Sequence, residues 1–146
     1  MNRLNILVER LREAGYRLTP QRMAILKILL EGINHPTAEE VYAQVKPIFP
    51  MTSLATVYKT VALLKEMNEI REINLGDRGS RYDGNNTIPH AHLICVQCNQ
   101  IIDSNPVDIQ QLSDGLAAAT GYKMISQRLD FFGVCPACQS VIPPQI

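Results

Sequence analysis

No apolar run in this 146-residue chain approaches the ~20 residues that cross a bilayer, so no membrane partner is expected. Neither sign of charge prevails: 14 Lys and Arg balance 14 Asp and Glu, which at first argues against nucleic acid. Internal repeats are absent apart from a doubled C-x-x-C. Residues 1–14 read as an amphipathic helix with acidic side chains rather than a signal peptide, so a cytoplasmic protein is expected. Apolar content of 46% excludes general disorder. Histidine occurs only three times and cysteine four times. Cysteines so few, in a cytosolic chain and in two C-x-x-C pairs, favour metal over disulfides.

Split at Asp83, the charge is slightly uneven. The first part carries 12 basic against 10 acidic residues, a net of +2, and the remainder 2 against 4, a net of −2. A local basic patch in the first part is compatible with these numbers but not demanded by them.

Along the chain, Asn2 caps a first helix with Leu4, Leu7, Leu11 and Ala14 on one face, and Gly15 stands where a helix ends. Thr19-Pro20 reads as N-cap and first turn of a second helix bearing Met23, Ile25, Leu26, Leu29 and Leu30, ending near Gly32. Thr37-Ala38-Glu39-Glu40 is a capping box opening a short third helix with Val41, Tyr42 and Val45. Pro47 and Pro50 end it. Ser53 caps a fourth helix whose apolar stripe is Leu54, Val57, Val61 and Leu64. Its other face shows Thr56, Lys59 and Thr60, with Tyr58 at the boundary. Residues 70–75 and 80–83 read as strands around Gly76-Asp77-Arg78-Gly79. This order predicts a winged helix-turn-helix, with the fourth helix in the major groove and the hairpin as the wing. A small helical bundle with a hairpin and no DNA role fits the pattern equally.

The polar stretch Asp83-Gly84-Asn85-Asn86 marks a boundary between domains at 1–84 and 85–146. Beyond it, residues 90–95 and 100–104 read as strands joined by the first C-x-x-C. Asn105-Pro106 caps a helix with Ile109, Leu112, Leu116 and Ala119, ending at Gly121. Residues 122–134 read as one more strand. The fold class expected is therefore α+β: a winged helix-turn-helix domain, then a small α/β domain. The Pro-rich tail from Ser140 should be loosely held.

Each C-x-x-C presents two thiolates from one tight turn, so Cys95, Cys98, Cys135 and Cys138 can close a tetrahedral zinc shell of structural type. The 36 residues between Cys98 and Cys135 exceed zinc-ribbon spacing, so the ion would tie the hairpin to the last strand. The alternatives are a dithiol redox pair or two disulfides. A thiol-redox enzyme would also need an accessible low-pKa cysteine in a thioredoxin-like setting, which the sequence does not show.

His90 and His92 lie two apart on a predicted strand, so both rings leave the same face. With Cys95 opposite Gln100, His92 falls opposite Asp103. Two imidazoles and a carboxylate with open positions suit iron(II) or manganese(II). Two surface histidines beside a strand-end aspartate remain the plain alternative.

These segments together resemble the ferric uptake regulator family over nearly the whole chain. The resemblance rests on Gly15-Tyr16-Arg17-Leu18-Thr19-Pro20-Gln21-Arg22, His35-Pro36-Thr37-Ala38-Glu39-Glu40-Val41-Tyr42 and Ser53-Leu54-Ala55-Thr56-Val57-Tyr58-Lys59. It rests also on His90-x-His92-x-x-Cys95-x-x-Cys98 with Cys135-x-x-Cys138. It implies a homodimeric, metal-dependent repressor of double-stranded operator DNA, and no enzyme. It implies that one regulatory Fe(II) or Mn(II) is held by His35, Asp83, His90, His92 and Asp103, beside structural zinc on the four cysteines. It implies DNA contacts from Tyr58 and Lys59 in the major groove and Arg17 in the minor groove. Asp103, where iron sensors carry Glu, resembles the peroxide-sensing branch. Gln127 stands where many members place a further histidine ligand, so a second regulatory site is not expected, and Asn99 replaces the usual glycine after the first C-x-x-C. The expected function is peroxide sensing through iron-dependent oxidation of His35 or His90, with H2O2 the only small-molecule reactant. The alternative within the family is a sensor of iron or zinc availability.

Overall fold

The computed structural model describes residues 2–31, 34–84, 90–104 and 106–141, without the side chains of 106–108 and 141. They form two compact units, Met1–Thr87 and Ile88–Ile146. Gly32, Asn85, Asn86, Asn105 and the tail beyond Val141, to which the sequence assigns a helix end, a boundary turn, a cap and a loose terminus, lie outside the described residues, whereas Ser140 and Val141, expected in that loose tail, close a helix.

The first unit is a winged helix-turn-helix. Its helices are α1 (Arg3–Glu13), α2 (Pro20–Glu31), α3 (Ala38–Val45) and α4 (Leu54–Glu66). Each start has a chemical cause. Asn2 accepts from Asn5 N at 2.9 Å, Thr19 Oγ1 from Arg22 N at 3.1 Å, Thr37 Oγ1 from Glu40 N at 3.0 Å and Ser53 Oγ from Thr56 N at 3.1 Å. Every one satisfies an amide that a helix N-terminus leaves unpaired. The inward faces meet in one core that includes Leu7, Leu11, Ile25, Leu26, Leu29, Val41, Val57 and Leu64. Full burial of such side chains stabilises by ~1.5–3 kcal/mol each.

On α4 the pattern needs one correction. Thr60, placed by its polarity on the outer face, is fully buried. Its hydroxyl donates to Thr56 O at 2.8 Å, so the polar atom is satisfied within the helix and only the methyl meets the core.

The wing consists of β1 (Arg71–Asn74) and β2 (Ser80–Asp83), antiparallel with Arg71 opposite Asp83 and Asn74 opposite Ser80. It is shorter than the 70–75 expected, because Ile70 turns into the core and Leu75 N closes the loop onto Gly79 O. A 3-10 turn over Gly76–Arg78 joins the strands.

The second unit has β3 (Ala91–Cys95), β4 (Ile101–Asp103), α5 (Pro106–Thr120), β5 (Leu129–Gly133) and α6 (Pro136–Val141). Its sheet runs β4-β3-β5, with β4 antiparallel and β5 parallel to β3. The strand expected over 122–134 forms only at Leu129–Gly133, because these five residues already span the whole of β3. Helix α6 was not apparent in the sequence; Pro136 takes its first position, where a missing N–H costs nothing, and Gln139 N bonds to Cys135 O.

Candidate metal centres

The β3–β4 turn and the start of α6 bring Cys95, Cys98, Cys135 and Cys138 into one cluster. One sulfur from each lies within 4.8 Å of the others, and no disulfide joins them. Cys98 and Cys135 sulfurs are 3.8 Å apart, and Cys135 N–H points at Cys95 Sγ at 3.4 Å. Backbone amides of Cys135, Cys98 and Gln97 favour a Cys95 thiolate and hold its pKa down to about 6. The neighbouring Cys135 thiol and partial burial push Cys138 up to about 12. Four sulfurs so close, with amides already aimed at one of them, form a donor set suited to a soft cation in a closed shell. Asn99 closes the turn in the left-handed region, at φ 63°, which asparagine tolerates better than most residues.

On the same hairpin the register has Ile94 opposite Ile101 and His92 opposite Asp103. His90 and His92 are buried, their Nε2 atoms are 3.0 Å apart, and their rings meet edge to face at 79°. Asp103 Oδ1 lies 3.4 Å from His90 Nε2 and 3.7 Å from His92 Nε2. A proton shared between two imidazole nitrogens serves one of them at a time. A cation at the point where they converge would serve both lone pairs and the carboxylate together, and this donor set suits iron(II) or manganese(II).

Two further expected ligands belong to the first unit. His35 and Asp83 are both buried, with His35 Nε2 3.9 Å from Asp83 Oδ2. The loop before α3 is fastened to β2: the Arg81 guanidinium donates to His35 O and to Asn34 O, and Tyr82 N donates to Pro36 O. His35 adopts φ 47°, a left-handed backbone that non-glycine residues enter at a cost of about 1–3 kcal/mol. Glycine follows Asp83 for a steric reason. A Cβ on Gly84 would collide with the carbonyl of Leu29 in α2.

The three residues expected at DNA, Arg17, Tyr58 and Lys59, are all exposed. The Tyr58 hydroxyl is engaged, donating to Glu39 Oε1 at 2.5 Å. That bond holds the Glu39 carboxyl below its usual pKa and raises Tyr58.

One residue at the histidines was missed in the sequence. Asp130 on β5 lies beside His92 in the parallel ladder, with Oδ1 3.3 Å from His92 Nδ1. No local pattern singles it out, since Leu129-Asp130-Phe131-Phe132-Gly133 does not alternate, and its place follows only from the β3–β5 register.

Comparisons with known proteins agree with this layout. The model of the ferric uptake regulator family matches residues 13–132. Over 129 residues the chain is 39% identical to the peroxide-responsive repressor PerR of Staphylococcus aureus (strain USA300), covering 88% of this chain and 86% of that one. The solved ferric uptake regulator Fur of Helicobacter pylori superposes with a TM-score of 0.83 at 25% identity, over 94% of this chain and 95% of its own. A peroxide stress regulator from Campylobacter jejuni gives a TM-score of 0.72 at 29% identity, over 94% of this chain and 100% of its own.

Proposed function

Because this chain belongs to the ferric uptake regulator family of metal-responsive transcription regulators, we propose that it is a homodimeric, peroxide-responsive repressor of double-stranded operator DNA. Asp103 carries the peroxide reading. Aspartate at this position resembles the peroxide-sensing branch, and the 39% identity to a peroxide-responsive repressor points the same way.

In this proposal the four cysteines hold structural zinc. His35 and Asp83 of the first unit share one regulatory Fe(II) or Mn(II) with His90, His92 and Asp103 of the second. Each unit would supply part of the ligand set, so ion binding favours the arrangement in which both parts meet. The coupling to DNA is the difference in ion affinity between that arrangement and all others. Tyr58 and Lys59 would then read the major groove and Arg17 the minor groove. Leu112 and Leu116 on α5 and Phe131 and Phe132 on β5 are large apolar side chains exposed in a single copy, which supports burial against a second copy.

Bound there, ferrous iron would supply the one-electron chemistry that splits the O–O bond of peroxide, whereas manganese(II) would fill the same donors without it. In the net reaction a ring C–H of His35 or His90 becomes C–OH: one oxygen of H2O2 enters the ring, the other leaves as water, and the imidazole supplies the two electrons. An oxidised imidazole is a poorer donor, so the ligand lets go, the two units separate in their motions, and the DNA is released. Mass spectrometry of the Fe(II) protein after peroxide tests this. One added oxygen on the peptide holding His35 or His90, with loss of operator binding, is the expected result. Unmodified histidines overturn the peroxide reading and leave a sensor of iron availability, the second reading, which the superposition on the Helicobacter pylori Fur favours.

A further inference from the structure

We infer that Asp130 is a positioning residue for the regulatory ion: its carboxylate fixes the His92 ring so that Nε2 faces the ion. The inference rests on the proposed metal reading of His90, His92 and Asp103. Asp130 is not one of the five ligands proposed, and it reaches the site only through His92.

Three observations carry it. In the parallel ladder His92 stands beside Asp130, so the two Cβ atoms share one side of the sheet. Asp130 Oδ1 lies 3.3 Å from His92 Nδ1, the ring nitrogen on the opposite side from the one that meets His90 Nε2 and Asp103. The second oxygen of Asp130 accepts from Arg128 Nε at 2.8 Å. The carboxylate is thus held from behind, with its side chain only 12% exposed.

The chemical consequence follows from the two nitrogens of one imidazole. A carboxylate accepts a proton and donates none, so Nδ1 beside it carries the hydrogen. The lone pair is then confined to Nε2, where the ion would lie. Hydrogen bonding to the carboxylate also makes Nε2 a stronger donor. Such partners of a metal-ligating histidine typically change metal affinity by about 10–100-fold. Arg128 restrains the carboxylate against rotating away and acts one step further out.

The test uses the full-length, zinc-containing protein and its Asp130→Leu, Asp130→Glu and Arg128→Leu variants. Long-range proton–nitrogen NMR without regulatory ion reads the His92 tautomer directly. Manganese(II) titration, followed by the electron paramagnetic resonance of the free ion, reads affinity. The expected wild-type result is a His92 fixed as the Nδ1–H tautomer. In Asp130→Leu the tautomers mix and manganese affinity falls about 10–100-fold. Asp130→Glu restores most of both, and Arg128→Leu gives a smaller loss. A wild-type His92 protonated at Nε2, or a Leu variant with unchanged tautomer and unchanged affinity, overturns the inference. If the wild type takes up no manganese(II), the metal reading itself fails and the inference falls with it. If the wild type binds and Asp130→Leu binds equally well, the inference alone fails.

Discussion

The Tyr58 hydroxyl donates to Glu39 Oε1 at 2.5 Å, so the residue proposed to enter the major groove already has a partner on α3. Contact with a base edge through that hydroxyl requires exchange of Glu39 for the base. In the proposed complex Glu39 would also bring a negative charge close to the phosphates. Glu39→Gln should therefore tighten operator binding, by about 2–10-fold at low salt and less at high salt, as screening predicts. Tyr58→Ala should weaken binding while metal content and oligomeric state stay unchanged. Fluorescence anisotropy with labelled operator at two ionic strengths checks both. The same bond predicts a pH effect. Glu39 is held below its usual value of 4.5, so the bond stabilises the fold above about pH 4.5 and its contribution fades as the pH falls through the lowered value. Glu39→Gln should flatten that part of the thermal stability profile.

The Thr37 cap offers a stability test remote from any ligand. Its hydroxyl satisfies the Glu40 amide at the start of α3, and loss of such a cap costs about 1 kcal/mol. In a unit this small, Thr37→Ala should lower the melting temperature by about 4–8 °C. Thr37→Ser should restore most of it. Equal melting of all three proteins would mean that water replaces the cap without loss.

At Gly84 the constraint is steric. A methyl group there would strike Leu29 O and stand 3.0 Å from an Ile70 methyl. Gly84→Ala should cost ~2 kcal/mol or more, since α2 must shift to admit it. Chemical denaturation would show a lower midpoint with an unchanged slope. Because Asp83 precedes this glycine, manganese affinity should fall as well.

The local features of this fold were legible from residue types. Asn2, Thr19, Thr37 and Ser53 were readable as caps because capping is a contact over three residues. Pairing of His92 with Asp103 followed from the short C-x-x-C turn between their strands. What the sequence hid was long-range. The limits of β5 are set by the length of β3, and Asp130 meets His92 only through a parallel pairing 38 residues away. Thr60 was misplaced because polarity stood in for position, although its hydroxyl could be satisfied inside α4.

The cysteine cluster predicts a clear response to chelation. Four thiolates within 4.8 Å of one another repel, so the cluster gains most from a cation that neutralises them. Removal of zinc should loosen the β3–β4 turn and the start of α6, since the ion would join them. Elemental analysis should give one zinc per chain, and Cys98→Ser should lose it. The loss should cost several kcal/mol, because metal binding at such a site is folding energy. Hydrogen exchange should rise around residues 95–101 and 133–139 and change little in α2.

His35 separates a ligand role from a structural one. Its backbone sits at φ 47°, where glycine carries no penalty, and the loop is fastened by contacts to its backbone carbonyl and to those of Asn34 and Pro36. His35→Gly therefore keeps every one of those bonds and relieves the dihedral strain. The glycine loses more chain entropy on folding, which offsets part of that relief. Thermal stability without regulatory ion should stay within about 1 kcal/mol of the wild type. If His35 is a ligand, manganese(II) should no longer strengthen operator binding in this variant, although the fold and the zinc content are intact. His35→Ala should lose the same response and be less stable than the glycine variant, because alanine keeps the strain that glycine relieves. A glycine variant that still answers to manganese(II) would remove His35 from the ligand set and leave the ion to His90, His92 and their carboxylate.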